Sequence, residues 1–408
     1  DVYEITGIVS GASITILSTI VMSIVLESIG FFRWAAHNLL EKANGSGVKL
    51  YWYINLLCFT MTLFMNNDGS ILITTPIIIH IVNLLKLKPH QKLPYLFAGV
   101  LIATASSAPI GVSNLANLIA LKIVGLDLNS YAKIMFIPSM IGILVISILL
   151  FIYFQNDIPK RFDVYPTMPT VHEDGSIHKQ NTFYQTHPLQ NARELNIDWW
   201  MFRVCIIVVV LIRGSFFALT PLGIPIELIA IIGAVILIII RWYKKKGGIV
   251  DIIKKTPWHI FIFAFSMYVI VYGLRNIGFT SMVVETLREP VSANLLNASI
   301  IMGFVTTIMS NLFNNLPSIM IGTLVLVDMG LESHTLQVSY LASVIGSDIG
   351  ALLTPMGTLA TLIWMFILRK NGIDVSWGMY FRVTFMIIPI GLIVSLLSLY
   401  IWAQWIIF

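Results

Sequence analysis

The chain is poor in the residues from which catalytic and metal centres are built. It has 2 cysteines, Cys58 and Cys205, both within apolar stretches, so neither a disulfide framework nor a zinc site can be assembled from them. No His-Glu-x-x-His occurs, and no nucleophile stands beside a recognisable base, which leaves an enzyme without its usual parts. Charge is scarce as well: 11% of residues are charged against 57% hydrophobic, and mean hydropathy is +0.87. A soluble domain of 408 residues cannot hide that much apolar surface. These absences point to an all-α polytopic membrane protein, since a helix satisfies its own backbone in lipid. The net charge of +5 does not indicate nucleic acid, because the basic residues cluster in loops between apolar runs.

What the chain does contain is repetition. Leu26-Glu27-Ser28-Ile29-Gly30-Phe31 returns as Leu274-Arg275-Asn276-Ile277-Gly278-Phe279, and Asn66-Asn67 returns as Asn314-Asn315. Pro109-Ile110-Gly111 is echoed by Pro355-Met356-Gly357, and Gly125-Leu126-Asp127 by Gly372-Ile373-Asp374. Repeats whose shared positions are polar and helix-breaking are a mark of secondary transporters.

Apolar runs long enough to cross a bilayer fall at 8–28, 131–154, 199–219, 223–241, 258–275 and 381–407. Two more, 94–120 and 336–368, carry Pro and Gly mid-span and read as broken helices. Stretches 50–86 and 294–329 have Asn-Asn-Asp-Gly and Asn-Asn-Leu-Pro at their centres, where lipid would leave polar groups unsatisfied. Each reads either as a re-entrant hairpin buried in protein or as two short spans, and the hairpin is the reading taken forward.

With hairpins returning to their own side, 19 of the 25 Lys and Arg fall on one face, which is then cytoplasmic; Lys122, Lys133, Arg213, Arg275 and Arg288 fall on the other. The first hairpin is then cytoplasmic and the second outer, so the two repeats have inverted topology, each with a re-entrant hairpin and a broken transmembrane helix. The expected division is a first repeat at 1–154, a cytoplasmic linker at 155–198 and a second repeat at 199–408. By symmetry the first repeat lacks two helices that would precede Asp1. The linker carries His172, His178 and His187, whose spacing matches no compact metal motif, and no metal or cofactor is expected.

The chemistry is expected where the breaks converge. Half-helix ends expose N–H and C=O groups that hold a small polar solute without charged side chains. The expected binding residues are Asn66 and Asn67 at the first tip, Ser107, Ser113, Asn114 and Asn117 around the first broken helix, Asn314 and Asn315 at the second tip, and Thr354 and Thr358 in the second broken helix. Asp68 and Asp348 stand beside glycines at these breaks; either could cycle a proton or help hold a cation.

Asn67-Asp68-Gly69, Val112-Ser113-Asn114-Leu115, Asn314-Asn315-Leu316-Pro317 and, above all, Gly346-Ser347-Asp348-Ile349-Gly350 followed by Thr354-Pro355-Met356-Gly357-Thr358-Leu359-Ala360-Thr361 carry a resemblance. The chain resembles, over essentially its whole length, the arsenite and antimonite efflux pumps of the ion transporter superfamily. The resemblance implies a prokaryotic plasma-membrane protein that exports trivalent arsenite and antimonite by proton antiport, in some members with a soluble ATPase subunit. With Thr104 standing where family members commonly carry an acid, Asp68 and Asp348 are the remaining candidates for proton coupling. The chain departs from the family's pattern at Thr104, Gly322, and Ala351-Leu352, positions where family members commonly carry charge. A sodium-coupled carrier of carboxylates or another small oxyacid in the same superfamily is the alternative.

Overall fold

The computed structural model describes residues 2–162, 198–245, 252, 256 and 258–407. Among these residues the chain is helical, without a strand, and seven helices are long and apolar enough to cross a membrane, or up to 8 if one bent pair is a single span. It is an all-α polytopic membrane protein.

The helices in chain order are α1 (Val2–Ser28), α2 (Phe31–Ala43), α3 (Gly47–Phe64), α4 (Asn67–Leu84), α5 (Pro89–Ala105), α6 (Leu115–Val124), α7 (Leu128–Phe154), α8 (Trp199–Leu219), α9 (Ile226–Lys245), α10 (His259–Asn276), α11 (Phe279–Ser292), α12 (Leu295–Phe313), α13 (Asn315–Met329), α14 (Ser333–Asp348), α15 (Leu359–Lys370) and α16 (Trp377–Trp402). The stretches read as hairpins are helix pairs, α3/α4 and α12/α13, broken at the Asn-Asn motifs. The stretches read as broken helices are α5/α6 and α14/α15, each interrupted by a short 3-10 turn, Gly111–Ser113 and Gly350–Leu353. The series α1 to α7 thus recurs, element for element, as α10 to α16.

One pair of elements was absent from the spans expected above. Gly30 and Gly278, the glycines of the repeated motif, take φ of 85° and 84°, a left-handed conformation open to glycine at no steric cost, and each turns the chain into a short helix, α2 or α11. At Gly278 the chain bends by 73°. Both helices mix apolar residues with charge, such as Arg33 and Lys42 in α2 and Glu285 and Arg288 in α11, so neither produces a long apolar run.

Packing links the two series reciprocally. The returning arm of the first hairpin, α4, lies against α15; the returning arm of the second, α13, lies against α6; and α7 pairs with α16. In lipid, apolar surface drives such pairing weakly, so close backbone approach has to supply it. Gly346 of α14 faces the Gly303 carbonyl of α12, in space that a β-carbon would overfill. Freed carbonyls at the breaks are satisfied by tyrosines at matching places: the Tyr131 hydroxyl donates to the Ala108 carbonyl at 2.6 Å, and that of Tyr380 to the Leu352 carbonyl at 3.0 Å.

Of the expected linker, 163–197 lies outside the described residues, as do its three histidines. Arg213, counted above among charges at the outer surface, is instead 7% exposed inside the bundle. Ion pairs join Lys122 to Glu227 at 3.1 Å and Arg275 to Asp328 at 2.6 Å.

Candidate functional site

Four half-helices begin around one point, and each is capped by the residue its sequence supplies there. Asn66 Oδ1 accepts from the Gly69 N–H at 2.9 Å at the start of α4, and Asn114 Oδ1 from Ala116 at 3.0 Å at the start of α6. Asn314 Oδ1 accepts from Leu316 at 3.5 Å ahead of α13, and Thr358 Oγ1 from Thr361 at 3.1 Å ahead of α15. Short polar side chains at these positions satisfy N–H groups that the first turn of a helix leaves free. The four starts border a small cleft of about 30 Å³ lined by Asn67, Asp68, Asn114, Leu115, Ala116, Asn314, Asn315, Leu316 and Leu359. N–H groups and partial positive charge from all four helices therefore face one small space.

Asp68, in the first turn of α4, is half-buried at this cleft, and among the described residues its carboxylate has no hydrogen-bond or ion-pair partner. Asp348 is different. It ends α14, is fully buried, and its carboxylate accepts from Asn114 Nδ2 at 2.8 Å, Ser107 Oγ at 2.8 Å and Asn117 Nδ2 at 2.6 Å. All three donors come from the other series. No basic side chain pairs with it among the described residues, and the three donors offset part of the cost of burying a carboxylate. Asn114 serves both places, capping α6 at the cleft and donating to Asp348.

The expected residues thus divide. Asn67, Asp68, Asn114, Asn314 and Asn315 line the cleft, and Asn66 and Thr358 cap helices that open onto it. Ser107 and Asn117 belong to the Asp348 cluster. Ser113 is fully buried, and among the described residues its hydroxyl has no partner, as is true of Asn117 Oδ1. Thr354 stands apart: its N–H donates to Asn311 Oδ1 at 2.8 Å, and Asn311 Nδ2 in turn donates to the Gly350 carbonyl at 2.9 Å, sewing the second break to α12. Among the described residues no three His, Cys, Asp or Glu side chains gather as a metal site.

Sequence reasoning missed Arg213. Its Nε donates to the Phe64 carbonyl at 2.8 Å and its Nη2 to the Met65 carbonyl, at the tip of the first hairpin. The available signal was its place inside the apolar run of α8, where a charge needs an internal partner.

A family model described as "Arsenical pump membrane protein" matches residues 1–403. The "Putative arsenical pump membrane protein" of Bacillus subtilis (strain 168) is 49% identical over 409 residues, which is 99% of this chain and 90% of that one. The "Arsenical pump membrane protein" of Escherichia coli (strain K12) is 32% identical over 385 residues, covering 94% of this chain and 84% of its own length. Its namesake from Yersinia enterocolitica is 33% identical with the same two coverages.

Proposed function

The chain belongs to the arsenical pump membrane protein family, and from that premise we propose that it exports trivalent arsenite and antimonite in exchange for inward-moving protons. At the level of the family it is a multi-pass plasma-membrane transporter of a prokaryote that moves arsenicals outward. The finer reading rests chiefly on one observation, the convergence of four capped half-helix starts on the cleft that holds Asp68.

Arsenite at neutral pH is largely an uncharged trihydroxide, a small body that both donates and accepts hydrogen bonds. Helix N–H groups face its oxygens, while the Asn67, Asn114 and Asn315 amides and the Asp68 carboxylate accept from its hydroxyls. Asp68 at the cleft and Asp348 behind it are the proton carriers, each alternating between neutral and ionised forms. The two series, facing opposite ways through the bilayer, let the cleft open to either side in turn.

Everted vesicles with an imposed pH gradient test this. Wild-type protein is expected to accumulate arsenite and antimonite, and Asp68→Asn and Asp348→Asn each to lose gradient-driven uptake by about tenfold or more. Intact uptake in both variants would remove the coupling assignment.

A further inference from the structure

Arg213 is buried in α8, a helix that precedes the second series yet reaches a hairpin of the first. Its guanidinium donates to the Phe64 and Met65 carbonyls and lies 5.6 Å from the centre of the Phe216 ring. Those carbonyls sit at the C-terminal end of α3, where the helix's own hydrogen bonds run out and partial negative charge collects. A cation capping a helix end accounts for the two bonds alone. Three more features give them a role at the cleft.

First, Met65 immediately precedes Asn66, the cap of α4, and then Asn67 and Asp68, which line the cleft; fixing the Met65 carbonyl fixes that wall. Second, α8 packs mainly on α9 and touches α3 sparsely, so the guanidinium is a principal tie between α8 and the tip. Third, Arg213 Nη1 is buried without a partner among the described residues, so the side chain has not been placed there to satisfy all of its own donors. The second tip has no such tie among the described residues: Asn314 Nδ2 donates to the Met356 carbonyl at 3.1 Å, within its own series.

We infer that Arg213 is a positioning residue for the cleft, a latch that holds the first hairpin's tip against α8 and so keeps Asn67 and Asp68 in place. It touches neither the solute nor the proton carriers. With the latch made, the tip closes the wall; with it broken, the tip is free to admit water.

The test labels the tip itself. In a chain with Cys58→Ala and Cys205→Ala, Met65→Cys places a thiol at a position that is 2% exposed and reacts slowly with a water-soluble maleimide. Adding Arg213→Met is expected to speed labelling roughly tenfold or more, and Arg213→Lys, which keeps the charge but loses the planar fork, to fall between. Thermal stabilisation by arsenite should weaken in the same order. Unchanged labelling in an Arg213→Met protein that elutes as a folded species would overturn the latch; if that variant does not fold, the Lys variant decides by the same criterion. The affinity readout rests on the arsenite proposal, whereas labelling does not. Fast labelling in a protein whose parent shows no arsenite stabilisation would therefore sink the substrate reading and leave the latch standing.

Discussion

The two hairpin tips begin from the same dipeptide and are secured by different chemistry. At the first, Asn66 is extended and caps α4, a carboxylate follows at Asp68, and a buried guanidinium from a distant helix grips the preceding carbonyls. At the second, Asn314 holds φ at 79°, caps α13 without a neighbouring acid, and is tied by its own amide to the adjacent break. One tip is held by charge from outside its series, the other by neutral hydrogen bonds within it. A sequence repeat therefore preserves the way a half-helix starts but leaves free what restrains it.

The contrast can be tested by removing each restraint. Arg213→Met orphans one buried and one part-buried carbonyl and should cost about 2–4 kcal/mol, read as a fall in unfolding temperature in detergent. Asn314→Ala removes a neutral cap and should cost about 1 kcal/mol, and Asn314→Gly less, since glycine accepts the left-handed backbone. Equal losses at the two tips would erase the distinction.

A finer test lies at the broken helices, where the series look alike. Tyr131→Phe and Tyr380→Phe each unpair one carbonyl and should each cost about 1 kcal/mol by the same measurement. A marked inequality would extend the asymmetry of the tips to the breaks.

The smallest effect is expected at the caps of α7 and α16. Asp127 caps the first through the Asn129 and Ser130 N–H groups, and Ser376 the second. Partial burial pushes the Asp127 carboxyl upward, but hydrogen bonds from Ser130 and Asn129 outweigh it and hold the group below its ordinary value. Its contribution is therefore present above the usual carboxylate range, near about pH 4, and fades as pH falls through the lower folded value. Asp127→Ser should flatten that acid limb of the unfolding temperature, and Ser376→Asp should create one.

Much of this architecture was legible in the sequence, because a break in an apolar run has few explanations. Asn-Asn within an apolar stretch marked the breaks between α3 and α4 and between α12 and α13, and Pro with Gly the breaks between α5 and α6 and between α14 and α15, although α12 and α14 are each long and apolar enough to cross a membrane alone. The helices α2 and α11 were not legible: their mixed faces yield no long apolar run, and only the glycine ahead of each hinted at a turn. The division of the polar residues was also hidden. Ser107, Asn114 and Asn117 looked like lining, yet they meet Asp348 from 231 to 241 positions away. Spacing within one series cannot reveal where two series cross. Arg213 escaped for a related reason, since its partners are backbone atoms and leave no mark in side-chain identity.

The contact of Gly346 with Gly303 has a mechanical corollary. With no side chains as a shim, α12 and α14 act as one girder, and Asn311 rivets its end to the second break. A β-carbon at Gly346 would wedge these two helices apart only two residues before Asp348, so the three donors that meet that carboxylate depend on the glycine as well.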